Sequence, residues 1–398
     1  MDMPEPSTPA AAFAALRSEL GHCIIGQEAL IDRLLIALLA DGHLLVEGAP
    51  GLAKTTAIKE LATRIEADFH RVQFTPDLLP ADLTGTEIYR PQTATFEFQR
   101  GPIFHNLILA DEVNRAPAKV QSALLEAMGE RQVTVGRDTY ILPALFLVMA
   151  TQNPIEQEGT YPLPEAQLDR FLLHVRVDYP KAAAEAAILK LARNRAREAL
   201  STQPVPPRML SQQQIFAGRS EVLDLHLAPQ LEEYLVQLVL ATRDPSPYGA
   251  ELARYVAYGA SPRGTIALDR CARAHAWLDG RDYVTPEDVH AIAADVLRHR
   301  VLLSYEAEAE GISADKIVAM LLERVPCRET RSGRRRAQAT RRGLVNPCLQ
   351  RATPMPEPSQ PLSTAVAHRY SLDRQHHKPH VCRRTPPCRC QLRPRRAR

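Results

Sequence analysis

The sequence predicts an α/β fold, with a parallel sheet between helices, followed by an all-helical part. Three observations predict it. Short apolar runs at 43–47, 106–110 and 145–150 have the length and composition of strands buried on both faces. They alternate with segments of helical spacing at 54–67 and 119–128, which is how parallel strands are joined. After Tyr179-Pro180 the strand signal stops, and 181–200, 211–223, 228–242, 262–279, 286–299 and 314–322 all carry helical periodicity.

Taken in order, residues 1–10 form a Pro-containing mobile leader. Segments 11–20 and 28–40 have helical spacing, and Leu30, Leu34, Leu35 and Leu38 of the second share one face. The turn Ile24-Ile25-Gly26-Gln27 separates them, and Asp41-Gly42 ends the second helix before the first strand. Residues 68–74, with Val72 and Phe74 apolar, form the second strand. Between 75 and 102 the residues Pro76, Pro80, Gly85, Pro91 and Gly101 break the pattern, leaving 87–89 and 96–98 to pair as a hairpin. A second hairpin joins 132–135 to 139–142, and 173–177 is the last strand. Two later helices have clear starts: Ser261-Pro262 supplies an N-cap and a first-turn proline, and Thr285-Pro286-Glu287-Asp288 resembles a capping box. The body therefore divides near residue 180 into an α/β domain, 11–180, and a helical domain, 181–325.

A chain of 398 residues has room for two or three domains and a sizeable core. Aromatic residues make up only 5%, which argues against a stacking platform for single-stranded nucleic acid. The net charge of +3 hides an asymmetry, because residues 326–398 hold 18 Lys and Arg against 3 Asp and Glu. The body is acidic and the tail basic. Of the 7 cysteines, Cys23 and Cys271 lie in the body, too far apart in sequence to form a disulfide framework. The first residues carry acids and prolines where a signal sequence would be charged then apolar, and the longest apolar runs, such as 141–150, fall far short of the ~20 residues of a spanning helix. A soluble, cytoplasmic protein is expected.

The chain is organised around Gly48-Ala49-Pro50-Gly51-Leu52-Ala53-Lys54-Thr55-Thr56. An apolar run, a Gly/Pro-rich turn and a helix start in succession are the layout of a phosphate-binding loop, whose backbone N–H groups point at phosphate oxygens. Lys54 would reach the β- and γ-phosphates of ATP, and the Thr55 hydroxyl would hold Mg²⁺. Ala53 departs from the usual pattern, which has glycine there. Asp111-Glu112 follows the apolar run 107–110 and would end a buried strand at the same sheet edge. Asp111 then positions Mg²⁺ and Glu112 orients the attacking water. Taken alone, Asp111 fits an N-cap equally well, and Asn153, in Thr151-Gln152-Asn153-Pro154, fits an ordinary Asn-Pro turn. As a functional residue, Asn153 would hold the lytic water or a γ-phosphate oxygen. Arg170, after Leu168-Asp169, is bland unless a neighbouring subunit's nucleotide faces it. Arg263 lies in the first turn of a helix, where a cation opposes the helix dipole unless a phosphate compensates.

Residues 24–325 resemble the MoxR family of AAA+ ATPases, through 48–55, 109–114, 150–154, 161–171 and 261–264. Members commonly have alanine before the loop lysine. The resemblance implies an AAA+ P-loop core and a helical lid. It also implies Asp111 and Glu112 as Walker B acids, Asn153 as sensor 1, Arg170 as an arginine finger acting in trans, Arg263 as sensor 2, and Gly26-Gln27 lying against adenine. The two hairpins resemble the clade's inserts in helix 2 and before sensor 1, which line the ring pore and touch the client. A hexameric ring, remodelling or activation of protein complexes, and a partner with a von Willebrand factor A domain are further implications.

The tail has no such resemblance. Three readings of it stand: a translation-frame artefact, a disordered basic arm for nucleic acid or acidic partners, and a zinc site from His376, His377, His380, Cys382, Cys388 and Cys390, which lack regular ligand spacing. For the whole chain, an ATP-driven remodelling motor competes with a nucleotide-dependent binding scaffold of little turnover and with a DNA-acting AAA+ machine.

Overall fold

The computed structural model describes residues 8–154, 159–198 and 207–327. The basic tail, its histidines and its zinc-ligand candidates, and the leader as far as residue 7, lie outside the described residues.

The described strands are β1 (Leu44–Gly48), β2 (Phe69–Gln73), β3 (Gly85–Arg90), β4 (Thr95–Arg100), β5 (Leu107–Asp111), β6 (Gln132–Val135), β7 (Asp138–Ile141), β8 (Leu147–Gln152), β9 (Leu173–Val177), β10 (Val256–Tyr258) and β11 (Leu302–Leu303). The helices up to the last sheet strand are α1 (Pro9–Cys23), α2 (Glu28–Leu39), α3 (Lys54–Arg64), α4 (Pro80–Thr84), α5 (Ala118–Glu130) and α6 (Glu165–Leu168). After β9 come α7 (Ala182–Glu198), α8 (Gln212–Asp224), α9 (Pro229–Arg243), α10 (Ala250–Tyr255), α11 (Pro262–Leu278), α12 (Pro286–Leu297), α13 (Tyr305–Ala309) and α14 (Ala314–Arg324).

The main sheet has the order β2-β5-β8-β1-β9, and every pairing in it is parallel. Its apolar runs divide by the two-residue period of a strand. Leu44, Val46, Leu107, Leu109, Leu147 and Met149 face a core shared with α1, α2 and α3. Leu45, Ile108, Ala110, Val148 and Ala150 face a second core, closed by Val120, Leu124 and Leu125 of α5. Burial on both faces is why these strands read as continuous apolar runs. The register sets Glu47 opposite Gln152 and Gln73 opposite Asp111, so the carboxyl ends of β1, β8, β5 and β2 form one edge.

Both expected hairpins form. β3 pairs with β4, placing Tyr89 opposite Phe96, and β6 pairs with β7. Phe98 stacks on Tyr140 with ring centroids 4.0 Å apart, which packs one ribbon on the other. Several large apolar side chains remain outside: Phe96 is 69% and Ile141 80% exposed. α1 starts before the periodicity does, because Thr8 caps it by accepting the Ala11 N–H at 3.3 Å, with Pro9 in the first turn.

Strands do not stop at residue 180, contrary to expectation. β10 and β11 pair antiparallel among the later helices. Three and two residues are too short to carry a readable alternation, and their partners lie over forty positions apart. The helices after β9 also share the first core with α1 and α2. Phe13 of α1 meets Trp277 of α11 edge-on at 5.2 Å, and Gly218 of α8 lets that helix approach, since a Cβ there would lie 3.2 Å from Leu39. No helix among the described residues is long and apolar enough to cross a membrane, and Cys23 and Cys271 are free thiols.

Candidate active site

β1 lies between β8 and β9, so the Gly-rich turn rises from inside the sheet. Gly48 is required by close packing, because a Cβ would stand 2.7 Å from the Val177 carbonyl oxygen of β9. Glu47, the residue before it, accepts from His174 at 3.0 Å and Arg176 at 3.3 Å on β9. The His174 hydrogen bond, aided by Arg176, holds the Glu47 carboxyl at about 2, so the root of the turn is pinned. Ala49 and Leu52 are buried while Pro50 and Gly51 face solvent. Gly51 has φ 83° and Ala53 φ 59°. Ala53 therefore occupies a left-handed conformation directly before α3, which costs an alanine about 1–2 kcal/mol and a glycine nothing. That backbone demand is why glycine is the usual residue at this position.

Lys54 opens α3 and folds back over the turn, donating to the Gly48 carbonyl at 2.5 Å and the Gln152 carbonyl at 3.4 Å. Burial lowers its pKa, against the pull of Asp111, Glu112 and Glu47. Lys54 is thus within electrostatic reach of both acids at the end of β5. Thr55 and Thr56 follow in the first turn of α3 and are half-buried.

Asp111 and Glu112 are held by a set of polar side chains. The Thr151 hydroxyl donates to Asp111 Oδ1 at 2.5 Å and accepts the Glu112 N–H at 2.9 Å. Arg71 of β2 donates to Asp111 Oδ2 at 2.6 Å from Nη2 and 3.1 Å from Nε. Gln73, two residues on and on the same face of β2, donates to Glu112 Oε2 at 2.8 Å, and Arg115 lies 3.2 Å from that oxygen. Glu112 itself has φ 57°, so the chain turns sharply there and aims the side chain back along the sheet edge. Asn153, just past β8, is buried. Asp111 and Thr55 offer hard oxygen donors, which fit Mg²⁺ better than any soft metal.

The remaining predicted residues lie elsewhere. Arg170 donates to the Leu125 carbonyl of α5 at 2.7 Å, and Gly129 makes room for it, since a Cβ there would stand 2.7 Å from its Nη1. It is engaged within its own chain. Arg263 is 54% exposed, and its Nη1 lies 3.9 Å from Asp169 Oδ2. Ser261 caps α11 by accepting the Arg263 N–H at 3.1 Å. Gly26, at φ 76°, packs against Pro180 and Ala184, and Gln27 donates to the Asp178 carbonyl at 3.0 Å, so this segment meets the crossing from β9 into α7.

Arg71, Gln73, Thr151, Asp169 and Arg300 escape a reading of the sequence for chemistry. Thr151 lies inside the 150–154 stretch, whose only chemical signal in the sequence is Asn153 before a proline. The Arg71-x-Gln73 spacing puts two polar side chains on one face of a strand, and only the strand order reveals that β5 lies beside it.

A phosphate loop and two acids at the carboxyl edge of a parallel sheet, followed by a helical lid, define an AAA-type ATPase. Residues 43–173 match the model of the ATPase family associated with various cellular activities (AAA), and residues 250–321 match that of the AAA lid domain. Chaperone MoxR1 of Mycobacterium tuberculosis is 46% identical over 77% of this chain and 80% of its own. YeaC of Bacillus subtilis is 45% identical over 77% of this chain and 92% of its own. A crystal structure from Cytophaga hutchinsonii, 47% identical, superposes with a TM-score of 0.74 over 81% of this chain and 96% of its own. The chain belongs to the MoxR family of AAA+ ATPases.

Proposed function

We propose that this ATPase couples Mg²⁺-dependent ATP hydrolysis to the remodelling or activation of protein complexes, as a cytoplasmic hexameric ring. In this reading, residues 11–180 are the ATPase domain and 181–325 the lid. The backbone of 48–56 cradles the phosphates, Gly26 and Gln27 flank the adenine, Lys54 neutralises the β- and γ-phosphates, and Thr55 and Asp111 hold the Mg²⁺. The metal would neutralise charge developing on the phosphoryl group. Glu112 takes the proton of the attacking water, Asn153 orients that water, Arg263 closes the lid on the γ-phosphate, and Arg170 reaches a neighbour's nucleotide.

One observation carries the link to remodelling. β4 leads into β5 and β7 into β8, so each exposed apolar ribbon feeds the start of a strand whose far end carries the acids or Thr151 and Asn153. A stiff strand transmits displacement from one end to the other, and Phe96 and Ile141 are available to grip a client. A partner with a von Willebrand factor A domain would present or select that client.

ATP turnover measured against protein concentration tests the proposal. A specific rate that rises as rings assemble and is abolished by Glu112→Gln supports it; a flat, negligible rate that Glu112→Gln does not change refutes it. A nucleotide-dependent scaffold with little turnover is the second reading. It is favoured by Arg71 and Gln73, which already occupy both acids. The DNA-acting alternative rests on the tail, outside the described residues.

A further inference from the structure

Asp169, next to Arg170, is held from two directions by the lid. Its Oδ1 accepts from Arg300 Nε at 2.8 Å, and its Oδ2 accepts from the Ser261 hydroxyl at 2.7 Å, with Arg263 3.9 Å away. The Arg300 side chain is only 2% exposed, and it also donates to the carbonyls of Phe171 at 2.6 Å and Leu172 at 3.2 Å. The segment carrying Arg170 is therefore stapled to the turn between α12 and β11. Its carboxylate is shared with the first turn of α11, from which Arg263 projects.

These contacts differ in strength. Arg300–Asp169 is a buried, charge-assisted pair with further hydrogen bonds around it, so it persists as the lid moves. Arg263–Asp169 is a long contact between a half-exposed arginine and a carboxylate, and such pairs are weak. A phosphate, with more charge than one carboxylate, takes Arg263 away from Asp169 but leaves the Ser261 and Arg300 links intact. Asp169 also explains how a cation is tolerated in the first turn of α11, because its negative charge lies at that helix end.

We propose that Asp169 is a positioning residue that couples the two arginines, so that capture of phosphate by Arg263 in one subunit sets the placement of Arg170 toward the next. This rests on the reading of Arg170 and Arg263 given above. One subunit's lid would thereby control its neighbour's hydrolysis.

Mixed rings test it. Arg170→Ala subunits keep their own loop and acids, and Glu112→Gln subunits cannot hydrolyse but can still donate Arg170. Mixing the two should restore ATP turnover. Donors carrying Glu112→Gln with Asp169→Asn, or Glu112→Gln with Arg263→Ala, should restore at least about tenfold less, since a finger arginine is worth ~10³–10⁵ in rate. Adding Asp169→Glu in place of Asp169→Asn should recover part of the loss. If the Asn donor does not assemble, Ser261→Ala, which leaves the Arg300 pair intact, takes its place and should show the same deficit. Failure of the simple Glu112→Gln donor to restore activity overturns the finger reading itself. Full restoration by the Asp169→Asn or Ser261→Ala and by the Arg263→Ala donors overturns the coupling alone.

Discussion

The Thr151 hydroxyl joins Asp111 and Glu112, donating to the carboxylate of one and accepting the backbone N–H of the other. Thr151 is 1% exposed, so neither bond can be replaced by water. Thr151→Val keeps the shape and removes both bonds, leaving a carboxylate short of a donor and a buried N–H without an acceptor. Losing one hydrogen bond to a charged group costs about 1.5–3 kcal/mol, so ATP turnover should fall about ten- to a hundredfold. Thr151→Ser should retain most of the rate. Steady-state hydrolysis by the two variants decides it, and equal rates would show that the hydroxyl is dispensable.

Ala53 sits at φ 59° at the head of α3. Ala53→Gly relieves strain of about 1–2 kcal/mol but loosens the unfolded chain by about 0.4–1 kcal/mol. Thermal unfolding should therefore show unchanged or slightly higher stability, with nucleotide binding preserved. Ala53→Val, β-branched in a left-handed conformation, should lose stability and weaken nucleotide binding together.

Arg71, half exposed on β2, competes with any cation for Asp111 Oδ2. Arg71→Ala should lower the Mg²⁺ concentration that half-saturates ATP turnover. An ion pair of this exposure is worth about 0.2–1 kcal/mol, so the shift should be at most about fivefold. A Mg²⁺ titration in which the midpoint rises would show that Arg71 supports the metal.

His43 carries a pH dependence that belongs to the fold. Its Nδ1 accepts the Val148 N–H at 3.1 Å and its Nε2 lies 3.3 Å from the Met128 carbonyl, which leaves no place for a second proton. Burial lowers its pKa to about 4. The unfolded chain takes up a proton near pH 6.5 that the folded chain refuses, so stability is complete above that pH and is lost as pH falls toward 4. The loss from this group is about 2 kcal/mol by pH 5. His299, buried against the Phe171 carbonyl, acts in the same direction. Melting temperatures from pH 7.5 to 5 should fall more steeply for the native chain than for His43→Gln; parallel curves would remove His43 from the account.

Much of the candidate site is legible in the sequence because its parts are local. The loop at 48–56 and the run ending in Asp111-Glu112 are contiguous stretches whose chemistry follows from composition and order. The sequence bounds strand 173–177 as it stands in the fold, because alternation and flanking breaks coincide there. What was not legible depends on pairing. Nothing near Arg71 says that β2 lies beside β5, and nothing near Asp169 says that Ser261 and Arg300, some ninety and 130 positions away, converge on it. β10 and β11 escaped for the same reason, being strands only by virtue of each other.

The strand order also sets a hierarchy of opening. β1 is flanked by β8 and β9, whereas β2 has a sheet neighbour on one side only. Outer strands fray at a fraction of the global unfolding free energy, and inner ones exchange their amide protons last. The root of the loop at 48–56 is thus tied to a strand paired on both sides, while Arg71 and Gln73 ride on an outer strand that loosens more readily. Deuterium uptake should reach β2 well before β1, and the hold on the two acids should slacken while the loop at 48–56 keeps its place.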